Sequence, residues 1–243
     1  MRYLITFSYD GTNYSGYQIQ PNEYSIQEEI EKKLSIINGN NKVKIFSSGR
    51  TDKGVHANNA KAHFDLDKEI DLNKFKHSLN SLLNDDIYIK DIKKVNNDFH
   101  SRFDIKKKEY IYKINLGDYN PCNRNYVYQY NKELNINNIK EAITYLEGTH
   151  NFKAFTKEDE QNDFVRTIYK INITLEKDIL TLSFLGNGFL RYMIRNMVGT
   201  LINIGENKIK PEDIKQILLS EDRKKAGIKA PACGLYLNNV FYE

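Results

Sequence analysis

The chain has 243 residues, of which 40% are hydrophobic, and its 36 lysines and arginines exceed its 32 acidic residues to give a formal net charge of +4. This composition predicts a folded protein with a sizeable core, and the charge surplus is too small to demand a polyanionic partner. The 2 cysteines argue against a disulfide framework, and no apolar run reaches the roughly 18 residues of a membrane span, so we expect a cytoplasmic protein.

The first half of the sequence alternates strand and helix patterns. Residues 3–9 alternate in polarity and predict a strand that ends at Asp10-Gly11. The capping box from Ser25 to Glu28 predicts the start of a helix, which Gly39 ends. The other elements predicted in this half are strands at 43–46, 61–64 and 87–92 and a helix over 75–82.

The second half shows the same kinds of pattern. A strand at 110–116 precedes a helix over 139–146, which Gly148 closes. Apolar spacing from Phe189 to Ile202 predicts an amphipathic helix. The remaining predicted elements are strands at 167–175 and 179–185 and a helix that begins near Pro211, and the chain closes on the apolar residues Leu235, Leu237, Val240 and Tyr242.

A faint internal repeat indicates two similar halves. Residues 4–11 and 180–186 each form a strand pattern that ends in glycine and leads towards a helix. Two similar α+β halves explain this repeat, and because no flexible linker separates them we expect them to share one sheet. We place the division at the charged run near residues 100–110, which gives an N-terminal subdomain at 1–104 and a C-terminal subdomain at 105–243.

The segment from Phe46 to Ala57 is the most unusual stretch, because an apolar strand ends there in a loop of small and charged residues. Taken alone, its glycines serve turns, and Asp52 caps a helix or pairs with Arg50. Between residues 42 and 61, however, 5 basic residues surround this single acidic residue. A basic setting favours the charged form of a carboxylate, which makes Asp52 a candidate nucleophile beside a phosphate-rich substrate.

A second basic stretch lies at residues 101–113, where 5 basic residues accompany 2 acidic ones. Tyr110 and Tyr112 lie in this stretch, and basic side chains beside aromatic rings suit the recognition of unstacked RNA bases. Alternating tyrosines on a strand also suit simple core packing.

Two arginines lie four residues apart in the segment predicted as the amphipathic helix. Arg191 and Arg195 therefore share nearly one face, from which one of them could reach a buried carboxylate. The alternative is a solvated pair.

Metal and nucleotide cofactors have no sequence signal here. The 5 histidines lack the spacing of metal ligands, and no glycine-rich phosphate loop is present. We expect neither a metal nor another cofactor.

Several of these stretches resemble, in order, the motifs of the bacterial tRNA pseudouridine synthase A family. The resemblance extends along the chain. Its motifs here are Phe7–Gln20, Gly49–Ala57, Phe99–Phe103 with Lys108–Tyr112, Phe189–Gly199 and Ala230–Leu237.

The resemblance implies an α+β pseudouridine synthase fold, with a mostly antiparallel central sheet flanked by helices and an active-site cleft between the halves. Asp52 then acts as the catalytic nucleophile, and Arg195 pairs with it. Tyr110 stacks on the flipped base, and Arg50 helps to extrude the nucleotide or binds its phosphate. The implied substrate is a uridine at position 38, 39 or 40 of the tRNA anticodon stem-loop, isomerised without a cofactor by a homodimer whose two subunits both contact the RNA.

Two residues depart from the pattern of the family. Alanine is expected at Ser101 and aspartate at Asn151, which concerns RNA docking and site choice more than the reaction class.

Two rival functions remain at this stage. A nucleic-acid glycosidase normally needs two carboxylates beside the scissile bond, and only Asp52 stands out here. A silent RNA-binding protein needs no carboxylate facing RNA.

Overall fold

A computed structural model of the protein describes residues 1–157 and 163–243. In these ranges the strands are β1 (Arg2–Tyr9), β2 (Phe46–Ser47), β3 (His56–Asp65), β4 (Ile87–Val95), β5 (Lys107–Asn115), β6 (Tyr128–Gln129), β7 (Gly148–Asn151), β8 (Val165–Glu176), β9 (Ile179–Gly186) and β10 (Leu235–Phe241). The α-helices are α1 (Ile26–Ile37), α2 (Leu72–Leu82), α3 (Ile136–Leu146), α4 (Met193–Gly205) and α5 (Asp213–Ser220).

The chain divides into two compact units, Met1–Lys106 with Tyr236–Glu243 as the first and Lys107–Leu235 as the second. The predicted boundary between residues 104 and 105 lies close to this division. The C-terminal residues, which the prediction gave to the second subdomain, group instead with the first unit because β10 pairs in parallel with β3 through Tyr236 and Leu237.

The sheet of the first unit is built around β1. This strand is antiparallel to β3 on one side and to β4 on the other. Helix α1 begins where the capping box predicts, since the Ser25 hydroxyl accepts a hydrogen bond from the Glu28 amide at 3.2 Å. Its apolar stripe, Ile26, Ile30 and Leu34, is fully buried.

The sheet of the second unit is built around β9 in the same way. β9 is antiparallel to β5 on one side and to β8 on the other. Strand β8 pairs in turn with β7, also antiparallel. Helix α3 ends before Gly148, whose φ of 104° is the left-handed conformation expected of a glycine closing a helix.

The predicted internal repeat corresponds to equivalent positions in the two units. Strands β1 and β9 each have a partner strand from their own unit on both sides, and each leads towards a helix, α1 or α4. The predicted α+β class with mostly antiparallel strand pairing is confirmed. The shared sheet and the cleft between the halves stay predictions.

Two predicted elements begin three or more residues later in the structure than predicted. Residues 43–45 do not pair as a strand, because the Val43 and Ile45 amides donate to side chains of α1. The helix predicted from Phe189 begins only at Met193, since Tyr192 has a φ of 64° that a right-handed helix does not accommodate.

No helix within the described ranges is long and apolar enough to cross a membrane.

Helix α4 carries a glycine at a close backbone contact. A Cβ added at Gly199 would overlap the carbonyl oxygen of Ile228, and one added at Gly227 would overlap the backbone of Gly199. The two glycines therefore let residues 226–230 lie directly against the helix. This contact explains why a residue that weakens a helix interior lies in the middle of α4.

We expect Gly199→Ala to lower the free energy of unfolding by about 1–3 kcal/mol, because the added methyl group overpacks a contact with backbone that cannot rotate away. Urea denaturation measures this change. Gly188→Ala is the matched control, since its Cβ would meet only the flexible Arg166 side chain at 3.7 Å. Equal stability of the two variants would contradict the predicted close contact.

Candidate active site

The predicted nucleophile, Asp52, begins a tight turn between β2 and β3. The Val55 amide donates to the Asp52 carbonyl at 3.1 Å, and Gly54 has a φ of 75°, which the third residue of a type II turn requires. The turn presents Asp52 partly exposed, while the residues that flank the loop, Ser48 and Val55, are buried. The loop is thus anchored at both ends.

The opening segment after β1 packs against this turn through two glycines. The Tyr17 amide donates to the Thr51 carbonyl oxygen at 3.1 Å. A Cβ added at Gly16, whose φ is 106°, would lie 2.9 Å from that oxygen, and one added at Gly11 would overlap the Val55 carbonyl. The backbone of the turn is therefore in contact with glycines before and after Asp52.

Side chains strengthen the same contact. The Tyr9 and Thr51 hydroxyls are hydrogen-bonded at 2.9 Å, directly before Asp52. After the turn, His56 is buried, and its Nδ1 lies 3.1 Å from both the Gly11 amide nitrogen and an Asp10 carboxylate oxygen. No role was predicted for these side chains, although they lie within the motifs Phe7–Gln20 and Gly49–Ala57.

The basic residues close to Asp52 in the sequence differ in their exposure. Arg50 and Lys53 are exposed on the loop itself, as are Lys42 and Lys44 before it. Lys61 is half-buried, and burial together with the neighbouring Lys93 lowers its pKa, while its ammonium lies 5.4 Å from the centre of the Tyr242 ring.

Ser101, where the family resemblance leads us to expect alanine, is fully buried. Its hydroxyl lies 2.9 Å from His63 Nδ1 and donates to the carbonyl oxygen of Phe46 in β2. The His63 ring stacks on Phe46, with 5.0 Å between ring centres. The serine therefore joins β2, which leads into the Asp52 loop, to the buried histidine.

Tyr110 lies on β5 in the second unit, opposite Phe184 of β9. Its side chain is 8% exposed and meets the ring of Phe189 edge to face, with 5.3 Å between centres. Tyr112, two residues further on, is fully buried, and its hydroxyl donates to the Pro231 carbonyl at 2.7 Å. Both tyrosines are therefore buried, as the core-packing alternative predicts, and the stacking of Tyr110 on an RNA base stays a prediction.

Arg195 lies in the first turn of α4 and is also 8% exposed. Its Nε donates to the Ala230 carbonyl at 2.7 Å, while its own carbonyl accepts from the Ala230 amide at 3.0 Å. The first of these hydrogen bonds orients the guanidinium, and the second holds the backbone of Ala230 against α4. Arg191, in contrast, is exposed and precedes the helix, so the predicted helical pair is not formed.

The four predicted site residues are divided between the two units. Asp52 and Arg50 belong to the first, and Tyr110 and Arg195 belong to the second. The pairing of Asp52 with Arg195 stays a prediction.

Asn151, the other departure from the family pattern, lies in β7. Its amide nitrogen donates to the Glu221 carboxylate at 2.8 Å, and its oxygen accepts from the Lys153 amide at 3.0 Å. An aspartate here would face Glu221 with a like charge, so the asparagine suits its partner.

The described parts of the chain contain no group of three or more histidine, cysteine, aspartate or glutamate side chains placed to hold a metal ion.

Comparison with known proteins places the chain in a family. A family model described as tRNA pseudouridine synthase matches residues 5–104 and 142–243. The chain is 42% identical to tRNA pseudouridine synthase A 1 of Bacillus cereus over 100% of this chain and 99% of that protein. It is 40% identical to tRNA pseudouridine synthase A of Bacillus subtilis over 100% of both. The chain therefore belongs to the tRNA pseudouridine synthase family.

We expect protonation of His63 to destabilise the fold in acid. Burial, together with the nearby Arg2 and His100, lowers the pKa of His63 from 6.5 to about 4. As the pH falls from 6.5 towards 4, the unfolded chain gains a proton that the folded chain does not bind, so stability decreases across this window.

Urea midpoints measured from pH 7 to pH 4 test this expectation. The pH dependence should be weaker in His63→Gln than in the wild type. His77, which is exposed on α2, provides the control variant His77→Gln. An unchanged slope in His63→Gln would show that another group causes the acid sensitivity.

Proposed function

We propose that this chain isomerises uridine to pseudouridine at position 38, 39 or 40 in the anticodon stem-loop of tRNA, with Asp52 as the catalytic nucleophile and no cofactor. Membership of the tRNA pseudouridine synthase family along most of the chain carries the proposal. The geometry of the Asp52 turn supports it, because a carboxylate that reacts with a bound nucleotide must be held in a fixed position.

The reaction exchanges one bond of the ribose for another. The bond between uracil N1 and ribose C1′ breaks, the detached uracil turns, and its C5 bonds to C1′. The C5 hydrogen then leaves as a proton, and N1 ends with a proton. Atoms are conserved and no redox step occurs, so the reaction requires no redox cofactor.

Two routes for Asp52 fit this exchange. In the first, the carboxylate forms a covalent bond, to the ribose or to the base, while the glycosidic bond is broken. In the second, it removes a proton from the ribose as a base. Both routes require an ionised carboxylate, which the exposed Arg50 and Lys53 favour.

Arg195 is proposed as the partner that keeps Asp52 ionised. Its Nε is already bonded to the Ala230 carbonyl, which orients the planar guanidinium before substrate binds. A charge-assisted hydrogen bond to a carboxylate is stronger than a neutral one and depends on this orientation.

Tyr110 and Arg50 are proposed to handle the flipped nucleotide. A base within a stem must leave its stack to be reached, and an aromatic ring can hold it outside. Tyr110 is held by the edge-to-face contact with Phe189. Arg50 is exposed on the loop beside Asp52, where a cation can meet the phosphate of the extruded nucleotide.

We also propose that the protein acts as a homodimer with tRNA lying across both subunits. This arrangement explains how a chain with a net charge of only +4 offers a long basic surface to RNA. Light scattering that shows an active monomer on full-length tRNA would refute it.

Asp52→Asn should abolish isomerisation, because the amide keeps the shape of the side chain but is neither a nucleophile nor a base. The assay uses stem-loops tritiated at uridine C5, each with one uridine at position 38, 39 or 40, and follows tritium release into water. Asp85→Asn, at an exposed aspartate of the same unit, should keep wild-type activity. Tritium release by Asp52→Asn at the wild-type rate would refute the assignment.

The products also separate the rival functions. Isomerisation releases tritium without free uracil, a glycosidase releases uracil, and a silent RNA-binding protein does neither.

Substitutions at Tyr110 should distinguish the contribution of its ring to activity from that of its hydroxyl. If the ring stacks on the flipped base, Tyr110→Phe keeps most activity, whereas Tyr110→Leu loses about 1–3 kcal/mol of stacking, or roughly 5- to 150-fold in kcat/KM. The tritium assay measures both variants, and thermal melting controls for folding. Equal activity of the leucine and phenylalanine variants would exclude stacking.

A further inference from the structure

Three cations surround the ring of Tyr192, immediately before α4. The Lys229 ammonium nitrogen lies 4.0 Å from the ring centre. The guanidinium carbon of Arg191 lies 4.9 Å from it, and that of Arg195 lies 5.8 Å away. All three distances are within the range of about 6 Å for cation–π attraction, so the ring holds these side chains near one another.

Two of these cations are available to a ligand. Arg191 and Lys229 are exposed, and neither forms an ion pair with a carboxylate among residues 1–157 and 163–243. Grouping like charges is unfavourable in the absence of an anion. The cluster therefore suits a bound anion.

Backbone contacts fix the Lys229 side of the cluster. The neighbouring Ala230 exchanges two hydrogen bonds with Arg195, and the Gly227 amide donates to the Thr200 hydroxyl at 2.8 Å. Glycines 199 and 227 allow the segment to touch α4 directly. Lys229 is thus carried by a segment that is anchored on both sides of it.

On the Arg191 side of the cluster, the backbone of the next residue, Tyr192, has a rare conformation. The Arg191 carbonyl accepts from the Thr156 hydroxyl at 2.8 Å, and Tyr192 follows with a φ of 64°. Bulky residues rarely adopt this conformation, and where they do the strain is often associated with function. The amide groups at the start of α4 add positive partial charge beside the ring.

We propose that Arg191 and Lys229, arranged on the Tyr192 ring, bind a phosphate of the RNA backbone. The inference rests on the proposed tRNA-modifying function and assigns a phosphate contact to the second unit. Phosphate contacts set the register of a nucleic acid on a protein without reading its sequence. Because Arg195 contacts the same ring, this phosphate fixes the RNA next to the arginine that is proposed to partner Asp52.

The test compares Arg191→Gln, Lys229→Gln and the double variant in equilibrium binding of full-length tRNA over a series of salt concentrations. The control is the double variant of Lys224→Gln with Lys225→Gln, which removes two exposed lysines from the same unit. Thermal melting of each variant verifies folding, which should be unchanged because the substituted side chains are exposed.

We expect affinity to fall about threefold for each single variant and about tenfold for the double variant. The slope of log affinity against log salt should become shallower by about one for each cation removed. The affinity and the salt slope of the control variant should lie closer to the wild-type values than those of the Arg191 and Lys229 double variant do.

Two results would overturn the phosphate site. One is a double variant with the same affinity and slope as the control, and the other is a loss of affinity with an unchanged salt slope. A wild type that binds tRNA without releasing tritium would refute the proposed isomerase function alone. The comparison of tRNA binding between the variants and the control would still decide whether the phosphate site exists. A wild type that does not bind tRNA would refute both.

Discussion

The position of Asp52 depends on how closely the opening segment approaches the turn that carries it. Gly16 touches the Thr51 carbonyl before the aspartate, and Gly11 touches the Val55 carbonyl after it. A side chain at either glycine would push the turn away, and Gly16 also has a φ that other residues rarely adopt. Polar contacts from Tyr9 and His56 then hold the turn where the glycines allow it to lie. The proposed role of Asp52 as a nucleophile requires such support, because small displacements reduce catalysis strongly.

The second unit positions its arginine by the same physical means. Gly199 and Gly227 allow a loop to lie on α4, and the Ala230 backbone of that loop holds the guanidinium of Arg195. The same loop brings Lys229 to the Tyr192 ring. In each unit, close backbone contact at glycine places a charged side chain that the proposed chemistry uses. The fold thus provides rigid backbone around the groups to which the proposed function assigns a role.

Much of this protein could be predicted from local sequence patterns. Ser25 caps α1 and Gly148 closes α3, as the sequence indicates, because capping depends on residues only three or four positions apart. Strand alternation identified β1 and β9, whose equivalent positions agree with the internal repeat. The motif around Asp52 indicated the family, and the match along most of the chain confirmed it. The roles of Asp52, Arg50, Tyr110 and Arg195 stay proposals.

Contacts between distant residues decided what local patterns could not. Residues 43–45 do not form the predicted strand, because the amides of Val43 and Ile45 donate hydrogen bonds to side chains of α1. The last residues of the chain belong to the first unit, because β10 pairs with β3. The Ser101 hydroxyl forms hydrogen bonds with the His63 ring and the Phe46 carbonyl oxygen, which are distant in the sequence. The sequence by itself determined the family, the order of the main elements and the candidate residues, since each depends on motifs or short-range periodicity. Only the tertiary structure decided which backbone holds Asp52 and Arg195 and which cations meet on Tyr192, because those contacts join segments far apart in the chain.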